Sequence, residues 1–176
     1  GLQSESKSVT VTEGNNSRII LDLAFPSTQI VFTLKTGVNG DFDLYLDGNY
    51  VGKLSDKATS QTQAVSPGAH TYHVKKASTG LPSDESTVNV ADGETKTVEI
   101  NPVFPKTQAV FTLQDNVQAY GLYIDNQYIG DLSQVGDSKT IELDPGTHTY
   151  YVLLRPGNQK SNTLSFNISD GQTKNI

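Results

Sequence analysis

The chain reads as all-β: two tandem β-sandwich units with an additional N-terminal strand segment. Three observations carry this reading. Apolar and polar residues alternate at period two, turn signals recur about every 8–12 residues, and a block of near 78 residues is spelled twice. No window shows the 3.6-residue apolar stripe of a helix. Hydrophobic residues make up 35% of the 176, enough for sheets with one wet face each.

The elements follow in order. Thr28–Lys35 places Ile30, Phe32 and Leu34 on one side and Val31, Thr33 and Lys35 on the other, the period of a half-buried strand. FPSTQIVFTL (25–34) returns 79 positions on as FPKTQAVFTL (104–113), with Ala109, Phe111 and Leu113 inward. LYLDGNYVG (44–52) returns as LYIDNQYIG (122–130). Asp47–Gly48 between apolar alternations predicts a two-residue hairpin turn with positive φ at both residues. Asp125–Asn126 retains that backbone property, because Asn tolerates the left-handed region next best. The swap keeps the backbone and changes the side chain, which favours a structural turn over a ligand-reading tip. SPGAHTYHV (66–74) returns as DPGTHTYYV (144–152), where Pro67–Gly68 and Pro145–Gly146 predict type II turns. Val88/Val90, Val98/Ile100, Tyr150/Val152/Leu154 and Leu164/Phe166/Ile168 alternate in the same way. The sum is about seven strands per unit in two facing sheets.

A third, partial copy opens the chain. SVTVTEGNNSRIILDLAFP (8–26) aligns with STVNVADGETKTVEINPVFP (86–105) through the turns Glu13–Gly14 and Asp92–Gly93. The expected domains are therefore 1–16, a strand segment that is either the tail of a preceding unit or a donor strand; 17–94, the first sandwich; and 95–176, the second. Asn101–Lys106 contains Pro102 and Pro105 and reads as a stiff junction, giving a rod. Ser17–Phe25, with Ile19, Leu21, Leu23 and Phe25 on one side, corresponds to a strand that does not follow Asn175. One chain's front could complete the next chain's second unit, a head-to-tail self-association that propagates without closing. The competing reading is that Ser17–Phe25 is strand one of unit one, in a piece of a longer array.

Charge and composition narrow the partners. A net charge of −6 disfavours nucleic acid and anionic membranes, and no apolar run approaches the length of a membrane span. Cysteine is absent, so no disulfide or thiolate metal site is expected. Methionine is absent too, so Gly1 is not a translation start and a processed or longer precursor is expected. No G-x-S-x-G, H-E-x-x-H or Walker A string occurs, and no enzyme and no cofactor are expected. Asp41 and Asp43 in NGDFD (39–43) are the one acidic cluster that could attract Ca²⁺, although the string is not an EF-hand loop. His70 and His148 recur at one place in both units and read as structural, since His73 becomes Tyr151 and no further ligands repeat. Tyr45, Tyr50, Tyr123 and Tyr128 flank the hairpin turns. Tyr45 and Tyr123 should face away from the core, where they can pair across strands or meet a protein partner or a glycan. Asn15 and Asn167 open N-x-S sequons, relevant only in a glycosylating host.

With the repeat assembled, the unit resembles the PEGA family of surface-protein β modules. LYLDGNYVGKL (44–54), SPGAHTYHVKK (66–76) and STVNVADGETKTVEI (86–100) carry the resemblance, matched by LYIDNQYIGDL (122–132), DPGTHTYYV (144–152) and TLSFNISDGQTK (163–174). DFDLYLDG (41–48) also looks similar to the small DUF4397 surface domain. The family's P-E-G-A is replaced by GDFD (40–43) and QAYG (118–121). The resemblance implies immunoglobulin- or prealbumin-like sandwiches, an extracellular or cell-envelope location, and other protein subunits or envelope components as partners. It implies no catalytic residue. The expected function is a non-enzymatic structural or protein-interaction module, with a strand-donating filament subunit and a carbohydrate-binding adhesin module as alternatives.

Overall fold

The computed structural model describes residues 3–4, 6–10, 12–14, 24–56, 60–114, 118–157 and 159–176. The chain divides into two compact units, Gly1–Val103 and Phe104–Ile176. No helix occurs among the described residues. The first unit holds β1 (Gln29–Leu34), β2 (Asp41–Leu46), β3 (Asn49–Ser55), β4 (Gln61–Ala64), β5 (Gly68–Lys76), β6 (Ser86–Val90) and β7 (Thr95–Ile100). The second holds β8 (Gln108–Thr112), β9 (Ala119–Ile124), β10 (Gln127–Leu132), β11 (Ser138–Glu142), β12 (Gly146–Arg155), β13 (Leu164–Ile168) and β14 (Thr173–Asn175).

Among the described residues, the strands of each unit form one three-stranded and one four-stranded sheet. The orders are β4-β1-β7 and β3-β2-β5-β6 in the first, β11-β8-β14 and β10-β9-β12-β13 in the second. All neighbours are antiparallel except β1 with β7 and β8 with β14. The sheets face one another through their inward side chains: Phe32 meets Tyr72 at 5.4 Å between ring centroids, and Phe111 meets Phe166 at 5.7 Å. The alternation read from sequence decides which side chains these are. Ile30, Phe32, Leu44, Leu54 and Val74 are fully buried in the first unit. Ala109, Phe111, Leu122, Ile124, Leu132, Phe166 and Ile168 form the core of the second. Each large apolar side chain buried in this way stabilises the fold by about 1.5–3 kcal/mol.

The boundary between the units differs from the one expected at 94/95. Thr95–Ile100 lies in register beside Gln29–Leu34, so it closes the first sandwich and does not open the second. The division falls at Val103/Phe104. The proline–glycine pairs also differ from expectation. Gly68 and Gly146 have φ of 133° and 145° and already belong to β5 and β12, far from the φ near +80° that a type II turn requires. The Ser66 carbonyl, which would close such a turn, instead accepts a hydrogen bond from the His70 ring.

The last glycine of the repeated phrase has a structural cause that the sequence reading did not assign. Tyr45 pairs with Tyr50 and Leu44 with Gly52, so Val51 bulges from the ladder; Ile129 bulges likewise in the second unit. Gly52 and Gly130 follow the bulges at φ 151° and 146°. A Cβ on Gly52 would fall 2.7 Å from Gln61 Oε1.

Candidate functional site

Two arrangements recur in both units: a closure at the hairpin tip and a row of rings on the outer face. The β2–β3 hairpin turns through Asp47 (φ 47°) and Gly48 (φ 76°), and β9–β10 through Asp125 (φ 47°) and Asn126 (φ 66°). Both turn residues are left-handed, as the type I′ geometry requires. The turn aims the aspartate at the neighbouring strand. Asp47 Oδ1 accepts the Thr71 N–H at 2.9 Å, and Oδ2 lies 2.6 Å from His70 Nδ1. His70 Nε2 lies 2.8 Å from the Ser66 carbonyl oxygen. In the second unit Asp125 meets Thr149 N–H at 2.8 Å and His148 Nδ1 at 2.6 Å, and His148 Nε2 meets the Asp144 carbonyl at 2.8 Å.

Carboxylates and carbonyls only accept, so pairing both ring nitrogens takes two N–H donors, which is the imidazolium form. The hydrogen bond to Asp47, aided by the one to Ser66, raises the His70 pKa above its ordinary value against the opposing effect of burial. The hydrogen bond from His70, then that from Thr71, lowers the Asp47 pKa. His148 and Asp125 shift in the same directions, first through their mutual hydrogen bond. An Asp–His pair invites comparison with a catalytic base. A base needs a ring nitrogen within reach of the proton it abstracts, and here the second nitrogen is committed to a main-chain carbonyl. The pair therefore ties the hairpin tip to the start of β5 or β12. His70 is the one buried polar residue among the described residues. Sequence reasoning identified the histidines as structural but missed their partners. The signal was present: the aspartate is kept in both copies while its turn neighbour changes from Gly48 to Asn126.

The tyrosines singled out from sequence come together on the outer face of each four-stranded sheet. Tyr50, Tyr45 and His73 stand in register across β3, β2 and β5. Tyr128, Tyr123 and Tyr151 do the same across β10, β9 and β12. Tyr45 stacks on His73 at 5.0 Å with 5° between planes, and Tyr123 on Tyr151 at 4.9 Å with 6°. At such separations parallel rings overlap face to face, so the central tyrosines are part of cross-strand pairs. Tyr50 and Tyr128 at the strand edge remain half-exposed. Cations accompany the rows: Lys75 Nζ lies 4.2 Å from the Tyr45 centroid, Lys160 Nζ 3.7 Å from that of Tyr151, and Arg155 Cζ 5.4 Å from that of Tyr128. The Tyr128 hydroxyl bonds Asp131, which pushes the phenol pKa up.

The remaining sequence candidates fall apart from these sites. Asp41 and Asp43 lie on β2 on either side of the buried Phe42, and Asp43 stands in register between Lys53 and Lys75. A straight strand does not wrap oxygens around an ion as a Ca²⁺ loop does. Among the described residues, no group of three or more His, Cys, Asp or Glu is placed to hold a metal. Of the strand-donation candidates, Ile19, Leu21 and Leu23 lie outside the described residues. Phe25 is 55% exposed and belongs to no strand.

No protein-family model matches the chain, and no curated protein matches it. Among solved structures, the chain is similar to the Bacillus anthracis TIE protein, with TM-score 0.46 and 16% identity over 85% of this chain and 33% of that one. It is also similar to a proposed polysaccharide-binding protein (DUF1812) of Bacteroides thetaiotaomicron, with TM-score 0.35 and 10% identity over 77% of this chain and 79% of that one. The chain thus spans about a third of the length of the TIE protein. At such identities neither likeness bears on what this chain binds.

Proposed function

We propose that the chain is a non-enzymatic interaction module of the cell surface or extracellular space, built of two PEGA-like sandwiches that offer the outer faces of their four-stranded sheets to a partner. The observation that carries this reading is the double closure of both histidines. Among the described residues, the acid–imidazole pairs that repeat in both units have no nitrogen left for a substrate. What the two units hold in common toward solvent is instead a ring row ending in a half-exposed tyrosine, a residue type that concentrates binding energy at interfaces.

Incubation of the chain with a broad panel of glycosides, esters and peptides tests the reading. Under it no turnover occurs, and His70→Asn and His148→Asn variants alter stability alone. Turnover that disappears in either variant contradicts it.

A second reading, a carbohydrate-binding module, is favoured by one observation specific to the second unit. There the ring row carries a cation at each end, Arg155 over Tyr128 and Lys160 over Tyr151, with Asp131 beside Arg155.

A further inference from the structure

The two units share a ring row but differ in the charges around it. In the first, Asp43 stands between Lys53 and Lys75 in register, and His73 Nδ1 lies 4.0 Å from Glu85 Oε2. Positive and negative groups alternate there. In the second, the place of Asp43 is taken by Gly121 and that of Lys75 by Leu153. Arg155 lies over the vacated position: a Cβ on Gly121 would fall 2.8 Å from Arg155 Nη2. The glycine thus makes room for a guanidinium.

That guanidinium has an ion-pair partner but an unsatisfied Nε. Its Nε is 3.2 Å from Asp131 Oδ1, yet the N–H is not aligned on any acceptor and is buried without a hydrogen bond. Lys160 sits at the other end of the row, over Tyr151. The row Tyr128–Tyr123–Tyr151 crosses three strands, or about 10 Å from end to end. It carries a cation at each end, with Asp131 beside Arg155.

The geometry points to an acidic oligosaccharide as the ligand of this face, with uronate carboxylates meeting Arg155 and Lys160 and ring hydroxyls meeting the tyrosine hydroxyls between them. Three features favour that class. The Tyr123 and Tyr151 faces are stacked on one another, so the row offers rims and hydroxyls and not an open platform for a neutral sugar. Guanidinium and carboxylate are matched planar groups, and their hydrogen bonds are among the strong ones. The row runs across strands β9 and β12, each paired on both sides, so an acidic peptide lying along it would gain main-chain pairing only where it reached the edge strand β10. The net charge of −6 opposes anions at long range, but at physiological salt that field is screened within about 8 Å and the local cations decide.

The inference rests on the outer faces being interaction surfaces, and one titration separates the two. The full chain is titrated with tetragalacturonate, cellotetraose and tetraglutamate at physiological salt, by calorimetry and by NMR shifts. Tetragalacturonate is expected to bind, with shifts at Tyr123, Tyr128 and Tyr151. Arg155→Gln and Lys160→Gln should each weaken it roughly tenfold or more, and Lys35→Gln, an exposed cation of the first unit away from its ring row, should leave it unchanged. Lys160 is exposed, so its variant reports binding even where Arg155→Gln alters the fold. No binding at millimolar concentration, equal binding of cellotetraose or tetraglutamate, or indifference to both substitutions overturns the ligand assignment alone. New reducing ends in the tetragalacturonate sample would overturn the non-enzymatic reading beneath it.

Discussion

The two units are the same sandwich with different outer chemistry. The fourteen strands among the described residues keep one order, one pairing scheme and one parallel seam per unit. The Asp–His closure is retained down to its distances, 2.6 Å to the carboxylate and 2.8 Å to the carbonyl in each case. Around it Gly48 becomes Asn126, His73 becomes Tyr151 and Asp43 becomes Gly121. The comparison teaches which contacts build the unit and which are free to be respecified. What repeats in full is a tether; what varies is a surface.

Substitutions can break the likeness in graded steps. The largest effect belongs to the core: Phe32→Ala and Phe111→Ala should each cost about 3–5 kcal/mol in urea unfolding. Phe32 is fully buried and Phe111 is 3% exposed, so similar losses are expected. A loss in one unit and none in the other would mean that the two cores are not equivalent. The closures come next. Asp47→Asn should cost about 1–3 kcal/mol, because it leaves a buried ring without its charged partner. Asp125→Asn should fall toward the low end, since the His148 side chain is 14% exposed against 9% for His70. The midpoint denaturant concentration at constant slope measures both. The turns give the smallest effect. Gly48→Ala should cost about 1 kcal/mol at φ 76°, whereas Asn126→Gly should change stability by only a few tenths. A harmless Gly48→Ala would remove the left-handed turn from the account.

These steps also mark what was legible from sequence. The alternation in Thr28–Lys35 and its copy placed Ile30, Phe32, Ala109 and Phe111 inward, because side-chain direction in a strand follows position alone. The outward direction of Tyr45 and Tyr123 followed from the same rule. The parallel seam did not follow, because β7 meets β1 across 66 positions and period two says nothing about partners. That is why the boundary was placed at 94/95. The Asp47–His70 pair was hidden for a related reason: the residues are 23 apart and meet only because a bulged hairpin and β5 share a sheet. Arg155 over Gly121 was hidden as well, since a guanidinium's resting place depends on which neighbour lacks a side chain.

The closures also set a pH window. The native state favours imidazolium, so that stabilisation is complete below about pH 6.5 and fades as pH rises through the raised histidine values. The aspartates are shifted down, so their part is present above about pH 4 and fades as pH falls through the lowered values. Stability from the pairs is fullest between those limits.

The most direct test is an NMR titration of the His70 and His148 ring nitrogens in the full chain. The account predicts that both remain doubly protonated at pH 6.5 and lose a proton only above it, with Nδ1 and Nε2 both showing N–H signals. If either ring is neutral at pH 6.5 with an unprotonated, exchange-accessible Nε2, the tether is instead an available base, and the central claim fails.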